Sequence, residues 1–169
     1  MLAIRSAVPA DAADVARVHV RSWQVGYRGL VPDDYLDGLH WEDRAARYTF
    51  FGEHAGLPST IVAVEGDAIC GFATTGPCRV ADAPGYGELL ALYVDPDAWG
   101  RGVGRALIAR ARSDLVQRGF TGAVLWLLAG NVRAERFYRS DGWLPDDAHR
   151  NEEIWGVRVD EVRFRRALA

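Results

Sequence analysis

The chain has 169 residues, 49% of them hydrophobic and 25% charged, with a net charge of −3; this suits one soluble domain with a single sizeable core. So small a net charge carries no nucleic-acid or membrane-surface signature. All 20 basic residues are arginine, which excludes a lysine nucleophile, a Schiff base and a P-loop lysine.

Residues 2–7 read as a short strand ended by Pro9, followed by a helix that opens near Asp11 and carries Val15, Val18, Ser22 and Val25 on one face. Gly26, Gly29 and Pro32 end it. A second helical region is expected over 33–54, with Tyr35, Leu36, Leu39, Trp41 and Tyr48 as its large apolar members, closed by Gly56 and Pro58. Thr60–Glu65, the Gly66-Asp67 turn and Ile69–Thr75 then read as a hairpin. Residues 87–96 are nearly continuously apolar, as in a strand buried on both faces.

From Gly102 to Gly119 the pattern is helical, with Val103, Leu107, Ala111 and Leu115 every four residues. Ala123–Leu128 is a further buried strand, Asn131–Ser140 a short helix ended by Gly142, and Trp143 opens the next strand. Val157–Arg166 alternates apolar and charged residues like an outer antiparallel strand. The order β-α-α-β-β-β-α-β-α-β-β implies an α/β domain over 1–169, a mixed sheet with helices on both faces. Cys70 and Cys78 are too far apart for a CxxC pair and read as small buried hydrophobes. The apolar runs are shorter than a membrane span, and no export signal is read, so no membrane association and a cytoplasmic location are expected.

The strongest local signal is a strand, a short turn, and Trp99-Gly100-Arg101-Gly102-Val103-Gly104-Arg105 opening a helix. Glycines allow close backbone approach, and the first N–H groups of a helix point outward with partial positive charge. Together they suit a phosphate or pyrophosphate. Arg101 and Arg105 add full charges. The absence of lysine rules out a P-loop, and Arg105 or Leu107 stands where a dinucleotide fingerprint needs its third glycine.

With these segments in place, the chain resembles the GNAT superfamily of acyl-CoA N-acyltransferases. GELLALYVDPDAWGRGVGRALI is similar to that family's central strand, pyrophosphate loop and helix, and NVRAERFYRSDGW (131–143) to its later cofactor-contacting helix. The resemblance implies a sheet of about seven strands with a splayed central pair, and acetyl-CoA as cofactor. It also implies that Leu92, Tyr93 and Val94 bind the pantetheine arm, that Gly100 to Arg105 bind the pyrophosphate, and that Asn131 contacts the arm. Trp99 replaces the family's usual glutamine or arginine. Unpaired strand amides suit pantetheine on physical grounds too.

Tyr138, two helical turns after Asn131, matches the family's tyrosine beside the thioester sulfur; a phenol with pKa about 10 holds a proton for a departing thiolate. Freeing the lone pair of a lysine-like amine at pH 7 costs about 4.6 kcal/mol, so a base is needed. Glu88 is the candidate. It is the only charged residue in its strand, alternation places it with Leu90, Leu92 and Val94, and it stands eleven residues before Trp99, as in family members that use a strand glutamate. A carboxylate is a weak base for an amine, so a raised pKa or a water relay is expected.

The acceptor side offers Trp23, Tyr27 and Trp155, with Arg28, Tyr35 and Trp41, beside Asp33, Asp34 and Asp37, a set that suits a cationic, partly apolar amine. No histidine pair has metal spacing, and no metal is expected. The reading is a direct transfer of acetyl to a small-molecule amine, with no nucleic acid as partner. A protein N-terminus or lysine as acceptor, a CoA-sensing module without turnover, and a homodimer as the assembly stay open.

Overall fold

The computed structural model describes residues 1–50, 57–80 and 82–168. Its strands are β1 (Leu2–Ser6), β2 (Ser59–Glu65), β3 (Ala68–Pro77), β4 (Tyr86–Val94), β5 (Gly122–Leu128), β6 (Leu144–Ile154) and β7 (Val157–Ala167). The helices are α1 (Ala12–Gly26), α2 (Asp33–Asp37), α3 (Trp41–Ala45), α4 (Val103–Gln117) and α5 (Val132–Ser140). Seven strands form one sheet in the order β1-β2-β3-β4-β5-β7-β6. Among the described strands only β4 and β5 pair in parallel, because α4 carries the chain back across the sheet between them.

The four-residue recurrence on α4 does what its period requires. Val103, Leu107, Ala111 and Leu115, joined by Ile108, are buried against Leu89, Leu125, Leu127 and Phe164. On the opposite face, Val15 and Val18 of α1 pack on Val62 and Phe72. Farther along, Trp23, Val31 and Leu36 meet Leu128 and Val159. The expected mixed seven-strand sheet with helices on both faces is therefore found.

Three expectations change. The region over 33–54 is two short helices: Gly38 ends α2 by donating its N–H to the Asp34 and Tyr35 carbonyls, and α3 stops at Ala45. Residues 51–54 of that span lie outside the described residues. Strand β7 is interior, between β5 and β6, so its inward charged residues are not in solvent. Strand β4 is buried only over Gly87–Leu89, and Leu90 to Val94 are partly exposed.

That last difference has a local cause. The β3–β4 register runs Thr74↔Ala91 and then Thr75↔Leu89, so Leu90 is an extra residue, a β-bulge. A bulge bends its strand and raises its twist. Pairing of β4 with β5 accordingly stops after Tyr86–Leu89 against Gly122–Leu125, although both strands continue. The central pair splays.

Close approach of α4 to the sheet rests on glycines. A Cβ on Gly87 would sit 2.6 Å from Leu115 Cδ2 and 3.2 Å from the Phe120 ring. Gly87→Ala is therefore expected to destabilise the fold by about 1–3 kcal/mol through overpacking, seen as a fall in Tm of several degrees by calorimetry. An unchanged Tm would show that α4 can shift without cost.

Candidate active site

Beyond the splay, β4 and β5 enclose a cavity of about 700 Å³. Leu90 to Val94 form one wall and Leu125 to Leu127 the other, with the starts of α4 and α5 at its mouth. Gly100, Gly102, Val103, Gly104 and Arg105 line it. Gly102 caps α4 at φ 85 with no side-chain cap bond, so the first N–H groups of the helix stay free for an anion. Gly104 also serves packing, since a Cβ there would meet the Phe137 ring at 3.3 Å.

Arg101 is not brought in. Its guanidinium is spent on Glu65 of β2, at 2.7 and 2.8 Å. Arg133, which the sequence reading did not single out, lines the cavity instead, and its guanidinium lies 3.3 Å from the centroid of the Trp99 ring. Its only signal is its place two residues into the Asn131 helix. Trp99 also donates its indole N–H to the Val94 carbonyl at 2.9 Å, so the residue that departs from the family pattern fixes the strand end. Asn131 lines the cavity while its Oδ1 caps α5 through the Ala134 N–H, 3.2 Å away. That leaves its NH₂ group as the donor for a ligand.

Tyr138 lines the same cavity and is 9% exposed. Burial, and then the nearby Tyr93, push its phenol well above the ordinary range. It holds its proton across neutral pH. Tyr27 lines the cavity too and donates its hydroxyl to Tyr93 at 3.3 Å.

A second cavity, of about 960 Å³, is walled by His19, Tyr48, Phe72 and Thr74 of the α1 side and by Asp114, Gln117 and Arg118 at the end of α4. The two cavities share Leu90 and Ala91 and no other residue. They meet at the bulge. An extra residue at a bulge is left out of the ladder, so Leu90 stands between them outside the β3 register.

The bulge also corrects the expected face of Glu88. Leu89, Leu92 and Val94 pack toward α4, whereas Ala91 and Tyr93 pack toward α1; a Cβ on Gly87 would point at α4. Glu88 therefore shares a face with Ala91 and Tyr93, not with Leu92 and Val94. It is 3% exposed, so it is no strand-end glutamate in solvent. Its Oε2 lies 3.5 Å from Nη2 of Arg79, a wall residue of the second cavity, but Glu88 itself lines neither cavity.

A second buried carboxylate was missed. Glu161 of β7 is 6% exposed and accepts a hydrogen bond from Arg150 Nε at 2.8 Å. Burial pushes its carboxyl up, with repulsion from Glu152 and Glu88 adding to the rise. The signal was the alternation Val159-Glu161-Arg163, which belongs to the inward face of an interior strand.

Of the aromatic candidates, Trp23 and Trp155 line neither cavity. They pack against each other at 5.2 Å and around His19 at 5.6 and 4.9 Å between centroids. Asp33 and Asp37 do not join them, because Arg28 holds both at the surface, at 3.3 and 2.6 Å. His19, given no role from sequence, lies at the centre: its ring stacks on Tyr93 at 4.7 Å, and Nδ1 is 2.6 Å from the Tyr48 hydroxyl. Burial first, and then Arg44, hold its imidazole well below the ordinary range. Among the described residues, no group of three or more His, Cys, Asp or Glu side chains could hold a metal ion, and no helix is long and apolar enough to cross a membrane.

Comparison with known proteins agrees with this geometry. The family described as "Acetyltransferase (GNAT) family" matches residues 19–143. An uncharacterized N-acetyltransferase of Bacillus subtilis, YuaI, is 35% identical over 96% of the chain and 91% of its own length. A mycothiol acetyltransferase of Nocardia farcinica is 29% identical over 81% of the chain, a match that covers 43% of that protein. Among solved structures, a GCN5-related N-acetyltransferase of Rhodopseudomonas palustris superposes with a TM-score of 0.75 at 22% identity, over 98% of this chain and 95% of that one.

The positive φ at Gly102 yields a direct test. Gly102→Ala strains that turn by about 1 kcal/mol or more and tilts the N–H groups at the start of α4. The Michaelis constant for acetyl-CoA is expected to rise severalfold, with a fall in Tm of only a few degrees. Unaltered acetyl-CoA affinity in the folded variant would remove the phosphate role from this turn.

Proposed function

The chain belongs to the GNAT acetyltransferase family, and on that premise we propose that it transfers an acetyl group from acetyl-CoA to a primary amine of a small molecule by direct attack. The observation that carries this reading is the meeting of two cavities at Leu90 and Ala91. The name of the mycothiol-acetylating relative favours a small acceptor, as does the concave shape of the second cavity.

When bound, acetyl-CoA supplies an activated thioester. The free N–H groups at Gly102 to Arg105 and the Arg133 guanidinium suit its phosphates. The unpaired edge of Leu92 to Val94 suits the two pantetheine amides, as an added strand would. The amide of Asn131 supports the arm. The backbone at the Leu90 bulge offers a donor to the carbonyl that is attacked. Tyr138 holds a proton for the departing sulfur. Burial disfavours a phenolate there, but it disfavours a thiolate at the same spot as well, so the transfer stays balanced.

Glu88 accepts the amine's proton from the second side. Since it lines neither cavity, the proton reaches it through a water molecule rather than by contact. Direct attack is further supported by the cysteines. Neither lines a cavity, and burial pushes both thiols up, away from the thiolate that a covalent route requires.

Two variants test these roles by different readouts. Tyr138→Phe keeps the ring and its packing, and is expected to lower kcat about a hundredfold while acetyl-CoA still binds; near-wild-type kcat in single turnover would make water the proton source. Glu88→Gln is expected to lower kcat by about 10²-fold with an ordinary alkylamine, and much less with an amine of low pKa that is already unprotonated at neutral pH. An equal loss with both amines would demote Glu88 to a structural part.

A further inference from the structure

We propose that the acceptor amine also carries an oxyanion, a carboxylate or phosphate-type group, and that Arg44 and Arg47 hold it on the wall of the second cavity. This rests on reading that cavity as the acceptor side.

The wall contains four arginines, Arg44, Arg47, Arg79 and Arg118, and one acid, Asp114. The acid is already matched, since Arg110 Nε donates to it at 2.8 Å. Arg79 lies against Glu88 at 3.5 Å. Arg118 donates to the Leu57 carbonyl at 2.9 Å. Among the described residues, Arg44 and Arg47 form no ion pair, although the other arginines near them do or are bound to backbone. Among the described residues, two cations thus face the cavity without a countercharge.

A hydrogen-bond chain orients Arg44. Arg44 lies over the Tyr48 and Trp155 rings, at 5.3 and 5.0 Å, and its Nε donates to the Tyr48 oxygen at 3.5 Å. With that oxygen accepting from a cation, the Tyr48 hydroxyl turns its own hydrogen to His19 Nδ1, 2.6 Å away. A neutral imidazole that accepts at Nδ1 carries its proton on Nε2. That N–H is buried among the surrounding rings, so His19 acts by ordering Tyr48 and, through it, Arg44.

A simple cationic amine has nothing to gain from such a wall and is repelled by it. An amine with an oxyanion at its other end suits both ends of the cavity. The anion meets guanidinium forks, which match carboxylate and phosphate geometry, and the amine is left to reach Leu90 and Ala91. A cavity of about 960 Å³ has room for such a molecule.

The test uses the intact protein with acetyl-CoA and matched amines, and reads thiol release. Each α-amino acid is compared with its amide and its decarboxylated amine, and aminoalkylphosphonates form the phosphate-type arm. The oxyanion-bearing member of a pair is expected to react with kcat/KM about 10–100-fold higher, the worth of a charge-assisted contact. Arg47→Gln, at an exposed position where folding is safe, and Arg44→Gln should each shrink that advantage. A separate titration with inorganic phosphate or succinate, read by tryptophan fluorescence, should saturate in wild type and weaken in both variants. Saturation without thiol release from any amine would leave the oxyanion site standing and overturn the acetyl-transfer reading. Neutral amines that match their charged partners, with no saturable titration, would overturn the oxyanion site. The better of the carboxylate and phosphonate arms identifies the group.

Discussion

One inserted residue governs the site. Leu90 has no partner in the β3 register, and β4 bends where it occurs. The bend ends the pairing with β5 after four residues of each strand and opens the wedge that becomes the first cavity. It also reverses which side chains face which helix, so that Glu88 joins Ala91 and Tyr93 on the α1 side. A regular strand of the same sequence would have closed the wedge and turned Glu88 toward α4. Backbone groups left unpaired there would cost about 1–3 kcal/mol each if fully buried. Residues 90–94 are partly exposed instead, so water or a ligand with amides can serve them.

The second constraint is how closely α4 sits on the sheet. Without side chains at Gly71 and Gly87, the helix approaches to where a Cβ would stand 3.0 Å from Leu107 and 2.6 Å from Leu115. That approach places the helix N-terminus at the mouth of the wedge. The loop ahead of it is pinned on one side by Arg101 to Glu65, and on the other by Trp99, which bonds Val94 and supports Arg133. Arginine that looks like a phosphate ligand in sequence is an anchor here, and one that looks incidental faces the cavity.

Legibility from sequence followed periodicity. The α4 stripe, the β2–β3 hairpin and the glycine turn were all readable, because each is set by residues close in the chain. The short split of α2 and α3 was not, since Gly38 inside an apolar pattern reads equally as a tolerated helical glycine. A bulge leaves no mark in a run such as ELLALYV, so the face of Glu88 was misassigned by simple alternation. His19, Arg133 and Glu161 gain their places from contacts with residues 29 to 74 positions away or across strands, and no local spacing reports that. Strand order decided Glu161 in particular. The same alternation on an edge strand would have put it in water.

The far end of the sheet is held together unlike the α4 core, because inward residues of β7 are charged. Arg163, 5% exposed on its side chain, is held by Asp146 at 2.7 Å and Asp82 at 2.8 Å. Arg150 holds Glu161 and lies 4.2 Å from the Trp126 ring centroid. Buried pairs of this kind add little net stability over an apolar core, yet breaking one leaves an uncompensated charge, so they fix geometry more than they strengthen the fold. The β6–β7 turn repeats that trade. Trp155 adopts φ 52, a left-handed conformation that costs a bulky residue roughly 1–3 kcal/mol, and its carbonyl accepts the Tyr35 hydroxyl of α2. The strain is offset by ring contacts to Trp23 and His19. Through this turn the far end of the sheet is clasped to the first helices, and His19 and Tyr48 are positioned over the bulge from the side opposite to Tyr138.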